Sequence, residues 1–198
     1  MARVTYKKIA YSDPKAFAID VYKACLRLNL PPKAAILLTS HICLSTGYGR
    51  SVDNWRLAGI KAGNACVCAG TCAATYAGDY TCASGFEYVN GVRVDSIMPF
   101  RSYRTLDEGL AAVIALLKGS RYVRSWSYLM AGDQNYYAQL GRDGWYTAST
   151  TSVDASCRSI QKHVEAYVVG IKPDNFFRNA SLAVLVVGIS AAVAIKWL

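Results

Sequence analysis

The sequence of 198 residues lacks several patterns that mark common classes of protein. It has only two histidines, and none of its seven cysteines forms a C-x2-C pair, so the usual spacing of a structural zinc site is missing. We therefore expect no metal and no cofactor. The 22 lysines and arginines outnumber the 13 acidic residues, but they are scattered rather than gathered in a run, which argues against nucleic acid as the partner. The net charge of +9 still indicates some anionic partner.

The two ends of the chain differ in hydrophobicity. The first residues, MARVTYKKIAYSDPKAF, contain no apolar run of the length that a signal peptide needs, so we expect synthesis in a cytoplasm. The segment 180–198 begins with ASLAVLVVGISAAVAI and carries no charge before Lys196. A helix that crosses a bilayer needs about 20 such residues. A buried core helix is the alternative, but it should carry a polar stripe. We predict a transmembrane anchor at Ala180–Leu198, held in a lipid bilayer.

Helix and turn signals dominate the rest of the chain. Asp13 followed by Pro14 predicts the start of a first helix, Pro32 the start of a second that ends at Gly47, and Thr105 with a glutamate three residues later a third. FEYVNGVRV contains Asn-Gly between two β-favouring runs, which predicts a hairpin. We expect an α+β protein that is mainly α, with one domain over 1–171 and a linker over 172–179.

A cysteine-rich segment, 63–85, interrupts this pattern, and we expect it to be an ordered loop inserted in the domain. Four of the seven cysteines lie in it: Cys66, Cys68, Cys72 and Cys82. Disulfides are a better interpretation than metal ligands, because no histidine is near and the spacing is not that of a zinc site. Three pairings of the four are open, and any of them indicates a domain that works outside a reducing compartment.

Five motifs occur in an informative order: LSTGYGRS (44–51), DNWRLAGIKA (53–62), the hairpin, PFRSY (99–103), and GLAAVIALLKGSRY (109–122) followed by AQLGRDGWYTAS (138–149). Together they resemble the glucosaminidase family of bacterial wall hydrolases. The resemblance covers about Asp13 to Val169. It implies a lysozyme-like fold, in which a glycan strand lies between a helical lobe and a smaller β-hairpin lobe, and it implies peptidoglycan glycan strands as the substrate.

The family's catalytic acid is a glutamate at the end of the second helix, and the matching position here is Ser45. Such an acid protonates the leaving glycosidic oxygen, which a serine hydroxyl does not do at useful pH. Three explanations are open: the protein is a glycan-binding relic, another acid has taken over, or the glutamate was replaced deliberately to trap an inactive form. Whether the protein is an enzyme is therefore undecided by its sequence.

The resemblance also assigns roles to other residues. Glu87, on the first strand of the hairpin, matches the family's second carboxylate. Asp79 also lies in a loop that could border the cleft. Side chains that resemble the lining of the family's cleft are the candidates for binding substrate: Tyr48, Asp53, Trp55, Trp145 and Tyr146. Aromatic faces among them would stack on sugar rings, although core packing is the competing interpretation for each.

Two functions from different classes follow. The first is a membrane-anchored hydrolase of peptidoglycan glycan strands, of β-1,4 N-acetylglucosaminidase or muramidase type. Association with the virion membrane of a membrane-containing phage, or with the envelope of the infected cell, would explain an anchor without a signal peptide. The second is a non-catalytic, lysozyme-like structural or wall-docking protein with envelope or virion proteins as partners.

Overall fold

The computed structural model describes residues 7–62, 68, 79–89, 92–146 and 150–172. For residues 85–89, 93 and 96 it describes the backbone alone. The chain divides after Val168 into two units, and nearly all described residues belong to the first. The predicted anchor, 180–198, and the predicted linker, 172–179, apart from Lys172, lie outside the described residues. No helix in the described ranges is both long enough and apolar enough to cross a membrane.

Six helices and two small antiparallel sheets make up the described chain. The helices are α1 (Pro14–Arg27), α2 (Pro32–Thr46), α3 (Leu106–Leu117), α4 (Val123–Ala131), α5 (Asn135–Arg142) and α6 (Thr150–Val168), with a 3₁₀ turn at Ser120–Tyr122. Strand β1 (Lys8–Ile9) pairs with β2 (Val52–Asp53), and β3 (Tyr80–Val89) pairs with β4 (Val92–Arg101). The predicted class, mainly α with a small β part, is confirmed.

Helix α2 lies at the centre of the helical part. It is apolar on nearly all sides, and α1, α4 and α6 all pack against it. Its side chains Leu37, Leu38 and Ile42 are fully or almost fully buried. A helix that buries every face needs partners on every face, and this requirement brings residues from distant parts of the sequence to its C-terminal end.

Local signals placed the helix starts correctly. The Asp13 carboxylate accepts a hydrogen bond from the Lys15 N–H at 2.8 Å, and the Thr105 hydroxyl accepts one from the Glu108 N–H at 3.2 Å. The Glu108 carboxylate reaches back to the N–H of Arg104 at 2.8 Å, one residue before the N-cap. These contacts satisfy N–H groups that a helix start leaves without partners.

The β3–β4 hairpin is longer than the sequence predicted. Strand β3 begins at Tyr80, so 80–85, which we had assigned to the cysteine-rich loop, belongs to the sheet and pairs in register with β4. The small residues in this stretch do not alternate between polar and apolar, so the sequence did not predict a strand here. At its base, Tyr80 is buried with Ala62, and the Ala62 N–H donates to the Pro99 carbonyl at 3.0 Å.

Candidate functional site

The C-terminal end of α2 turns sharply because three consecutive residues adopt the left-handed conformation. Gly47, Tyr48 and Gly49 have φ values of 57°, 57° and 81°. This is ordinary for glycine but uncommon for tyrosine, and such backbone tends to occur at functional sites. A Cβ on Gly49 would lie 2.6 Å from the Phe17 ring. The turn is therefore fixed by packing, immediately after the exposed Ser45.

Ser45 lies beside the Tyr146 hydroxyl, which in turn lies beside the Cys157 thiol of α6. Burial raises the pKa of Tyr146 well above its ordinary value; among the weaker influences, Cys157 raises it and the Ser45 hydroxyl lowers it. In the described part of the chain, no group meets the Tyr146 hydroxyl with the geometry of a full hydrogen bond. We use the name Ser45 cluster for five residues: Ser45, His41, Trp145, Tyr146 and Cys157.

His41, one helical turn before Ser45, is completely buried. Its Nδ1 is 2.8 Å from the Tyr136 hydroxyl, and its ring packs edge-on against the rings of Trp145 and Tyr146 at 5.0 and 5.7 Å between centroids. Its Nε2 is buried without a hydrogen-bond partner among the described residues. Burial lowers the pKa of His41 to about 3, so the ring is neutral near pH 7.

The same end of α2 meets α6 a second time through Tyr48. Its hydroxyl lies 3.5 Å from Nδ1 of His163, at the outer limit of a hydrogen bond. Burial raises the pKa of Tyr48 to about 12. The structure therefore places Tyr146 beside Ser45 and packs Trp145 and Tyr146 against His41, whereas Tyr48, at the same end of α2, contacts His163.

Trp55 and Asp53 form a separate group. Trp55 has a φ of 50° and its ring lies 6.4 Å from that of Tyr11. Asp53 forms a largely buried ion pair with Arg56 at 3.0 Å. Among the contacts of the described residues, none joins Asp53 or Trp55 to the Ser45 cluster, so their predicted role in binding remains a prediction.

The second predicted carboxylate, Glu87, lies on β3, where its backbone pairs with Val94. Its side chain lies outside what the structure describes, so its catalytic role remains a prediction. Asp79, which precedes β3, has its carboxylate 3.5 Å from Nε of Arg104. Within the described residues, no three His, Cys, Asp or Glu side chains come together as a metal site would require.

The cysteines have two different environments. Cys68 and Cys82 form a disulfide that ties the cysteine-rich segment to β3. Cys66 and Cys72, the other two candidates, lie outside the described residues. The three helical cysteines, Cys25, Cys43 and Cys157, are free and buried, and burial raises the pKa of each to about 12. None of these three is a thiolate near neutral pH.

Sequence reasoning missed Cys157 and Tyr136 as neighbours of the site. Cys157 is a buried residue of α6, and its thiol also lies beside the Tyr146 hydroxyl. No signal in a single sequence connects residues 45, 146 and 157, because only the packing of α6 on α2 brings them together.

Several solved structures share this fold. Three of them are a mutant of a peptidoglycan hydrolase from Sphingomonas sp. A1 (TM-score 0.59, 23% identity), the catalytic domain of the autolysin Auto from Listeria monocytogenes (0.56, 19%) and a glycoside hydrolase domain of FlgJ from Salmonella typhimurium (0.51, 20%). The matches cover 78%, 80% and 78% of this chain and 98%, 89% and 99% of theirs. No protein-family model and no curated protein matches the sequence. The chain thus has the fold that the motifs predicted, which it shares with these hydrolase domains.

Proposed function

We propose that this protein binds the glycan strands of peptidoglycan, and that with Ser45 in place of a carboxylic acid it holds the strand rather than cleaving it at the rate of a hydrolase. The fold supports the choice of ligand, because the three similar structures are named as a peptidoglycan hydrolase, an autolysin catalytic domain and a glycoside hydrolase domain. Aromatic side chains near Ser45 supply surfaces of the kind on which sugar rings stack.

One observation supports the non-catalytic part of the proposal: three described groups of the Ser45 cluster, His41, Tyr146 and Cys157, have pKa values far from neutrality. General acids work best when their pKa lies near the operating pH. Here burial lowers the pKa of His41 to about 3 and raises that of Cys157 to about 12 and that of Tyr146 beyond it. Each of these groups is neutral at pH 7 and gives up no proton readily.

We further propose that segment 180–198 anchors the domain in a membrane, either a virion membrane or the envelope of an infected cell. The sequence pattern alone supports this part. Fractionation with membranes, and its loss when 180–198 is deleted, is the expected result. A full-length protein that stays in the aqueous fraction would contradict it.

An active hydrolase is the second candidate function, and Glu87 favours it. This residue matches the family's second carboxylate and lies on a strand of the hairpin, which is the lobe expected to face the helices across the glycan. A carboxylic acid there could replace the missing one.

Two substitutions at one position separate these functions. Ser45→Glu supplies the acid, and Ser45→Gln supplies a side chain of the same shape without a proton to give. With purified full-length protein, we expect the wild type and Ser45→Gln to bind insoluble peptidoglycan and release no reducing sugar. Ser45→Glu should release reducing sugar at least about 10²-fold faster than the background rate measured with the other two proteins, since this is the usual contribution of a general acid.

The other outcomes are equally informative. Release of reducing sugar by the wild type, abolished by Glu87→Gln, would replace our proposal with the second candidate. Failure of all three proteins to bind peptidoglycan, with circular dichroism showing an intact fold, would refute the glycan ligand.

A further inference from the structure

The segment from Asp143 to Tyr146, which we call the aromatic turn, carries both aromatic residues of the Ser45 cluster. It follows α5 and belongs to no helix or strand. Its backbone is tied to α5 through the Trp145 N–H, which donates to the Leu140 carbonyl at 3.1 Å. The regular hydrogen bonds of a helix or a strand do not hold this turn. Contacts with neighbouring elements must therefore orient its two aromatic side chains.

Arg121 supplies the most direct of these contacts. Its Nε donates to the Asp143 carbonyl at 2.8 Å and its Nη2 donates to the Gly144 carbonyl at 3.1 Å. A planar guanidinium donates along two fixed directions at once, which the single ammonium of a lysine does not. Two successive carbonyls of the aromatic turn are thereby held by one side chain.

Gly144 is required for this contact. Its φ is 77°, in the left-handed region, and a Cβ at this position would lie 2.4 Å from Nη2 of Arg121. Any side chain would therefore displace the guanidinium. Gly144 is needed both for its backbone conformation and for the space it leaves to Arg121.

The rest of the turn is held by neighbouring elements. The Asp143 carboxylate accepts hydrogen bonds from the Ser125 hydroxyl at 2.6 Å and from the Gln139 amide at 2.8 Å. Tyr122, next to Arg121 in sequence, packs its ring against that of Trp145 at 5.1 Å between centroids. The turn is thus attached on several sides to α4, α5 and the 3₁₀ turn.

We propose that Arg121 is a positioning residue for the glycan site, and that it acts by fixing the aromatic turn so that Trp145 and Tyr146 pack against His41 and the Tyr146 hydroxyl lies beside Ser45. The proposal rests on the proposed function for its ligand but not for its geometry. It gives a single physical role to two motifs that are separate in the sequence, Ser-Arg-Tyr (120–122) and Gly-Trp-Tyr (144–146).

The first test reads the position of Trp145 without any ligand. In full-length protein in detergent micelles, the indole N–H resonance of Trp145 is assigned by its loss in Trp145→Phe. We expect Arg121→Ala and Arg121→Lys to move it, because neither can hold both carbonyls. Arg124→Ala removes the same charge from an exposed arginine of α4 and should leave it in place.

The second test uses glycine substitutions with a matched control. Gly144→Ala and Gly170→Ala both place a Cβ on a left-handed residue, with φ of 77° and 81°, but nothing lies within 4 Å of the new atom at Gly170. We expect Gly144→Ala alone to reproduce the resonance shift of Arg121→Ala. The double variant Arg121→Ala/Gly144→Ala should show no further shift, because both changes remove the same contact between Arg121 and the Gly144 carbonyl.

The third test measures affinity for peptide-free glycan strands. Arg121→Ala and Gly144→Ala should weaken binding about tenfold, an energy typical of well-placed hydrogen bonds to a charged group. Arg124→Ala and Gly170→Ala should bind as the wild type does.

The outcomes separate this inference from the proposed function. If the wild type does not bind glycan, the proposed function fails, and the Trp145 resonance still decides whether Arg121 positions the turn. If Arg121→Ala leaves both the resonance and the affinity as they are in Arg124→Ala, the inference is overturned.

Discussion

Acid should destabilise this protein through one buried histidine. Burial lowers the pKa of His41 to about 3, whereas a histidine in the unfolded chain titrates near about 6.5. Between these two values the unfolded chain binds a proton that the folded chain does not. Stability therefore falls as the pH falls through this window, and it is fully retained above about pH 6.5.

The size of the effect follows from the width of the window. Each pH unit within it costs about 1.4 kcal/mol, so acidification from about pH 7.5 to about pH 4.5 removes about 2.7 kcal/mol through this residue. In a domain of this size that is a fall in Tm of roughly 5 to 11 °C. Charging His41 would also place a cation against the Trp145 ring and beside the Tyr136 hydroxyl, at the centre of the candidate site.

Thermal unfolding followed by circular dichroism at the two pH values provides the assay. His41→Gln keeps a neutral amide near the Tyr136 hydroxyl but does not titrate, so its Tm should fall less than that of the wild type. Protonation of the carboxylates that the two proteins share affects both and cancels in the comparison. Equal falls in the two proteins would refute a neutral, buried His41.

Three further changes have predicted effects on stability. Gly109→Ala should lower the free energy of unfolding by about 1–3 kcal/mol, because its Cβ would lie 2.2 Å from the Trp55 carbonyl oxygen. Alanine normally stabilises a helix relative to glycine, so an unchanged or higher Tm would contradict this packing. A reductant should lower Tm through opening of Cys68–Cys82, whose 14-residue separation corresponds to about 3 kcal/mol, and the fall should be smaller in Cys82→Ser. Tyr136→Phe removes the hydroxyl beside the buried histidine and should cost about 1–3 kcal/mol in urea unfolding, whereas a cost near zero would show that this contact contributes nothing.

The sequence predicted those features of the fold that depend on near neighbours. The side chains of Asp13 and Thr105 accept hydrogen bonds from N–H groups two and three residues further on, so these residue types indicate where the helices start. The start of β3 at Tyr80 was not predictable in this way. Its pairing with Arg101 joins residues 21 positions apart, and the small side chains that follow Tyr80 lack the alternation of a strand.

The residues of the candidate site also differ in whether the sequence could predict them. Ser45 and Tyr48 were predictable because a contiguous motif ends α2 and enters a left-handed turn. The position of Cys157 beside Tyr146 was not, since it requires α6 to pack on α2 with a particular rotation. Likewise, Ser-Arg-Tyr and Gly-Trp-Tyr each resemble a family motif, but only the structure shows that Arg121 holds the carbonyl of Gly144.

The environment of Ser45 differs physically from that of a working general acid. Active sites commonly shift the pKa of a group toward the operating pH, but here burial shifts those of His41, Cys157 and Tyr146 away from neutrality, His41 downward and the other two upward. Near pH 7 these three side chains of the Ser45 cluster are uncharged, and none of them readily gives up a proton. A carboxyl group introduced at position 45 would add to the cluster an acid whose ordinary pKa lies closer to the operating pH than those of Cys157 and Tyr146. That is why glutamate and glutamine at this single position, nearly identical in shape but different in their capacity to give up a proton, separate a site that lacks its acid from one that never needed it.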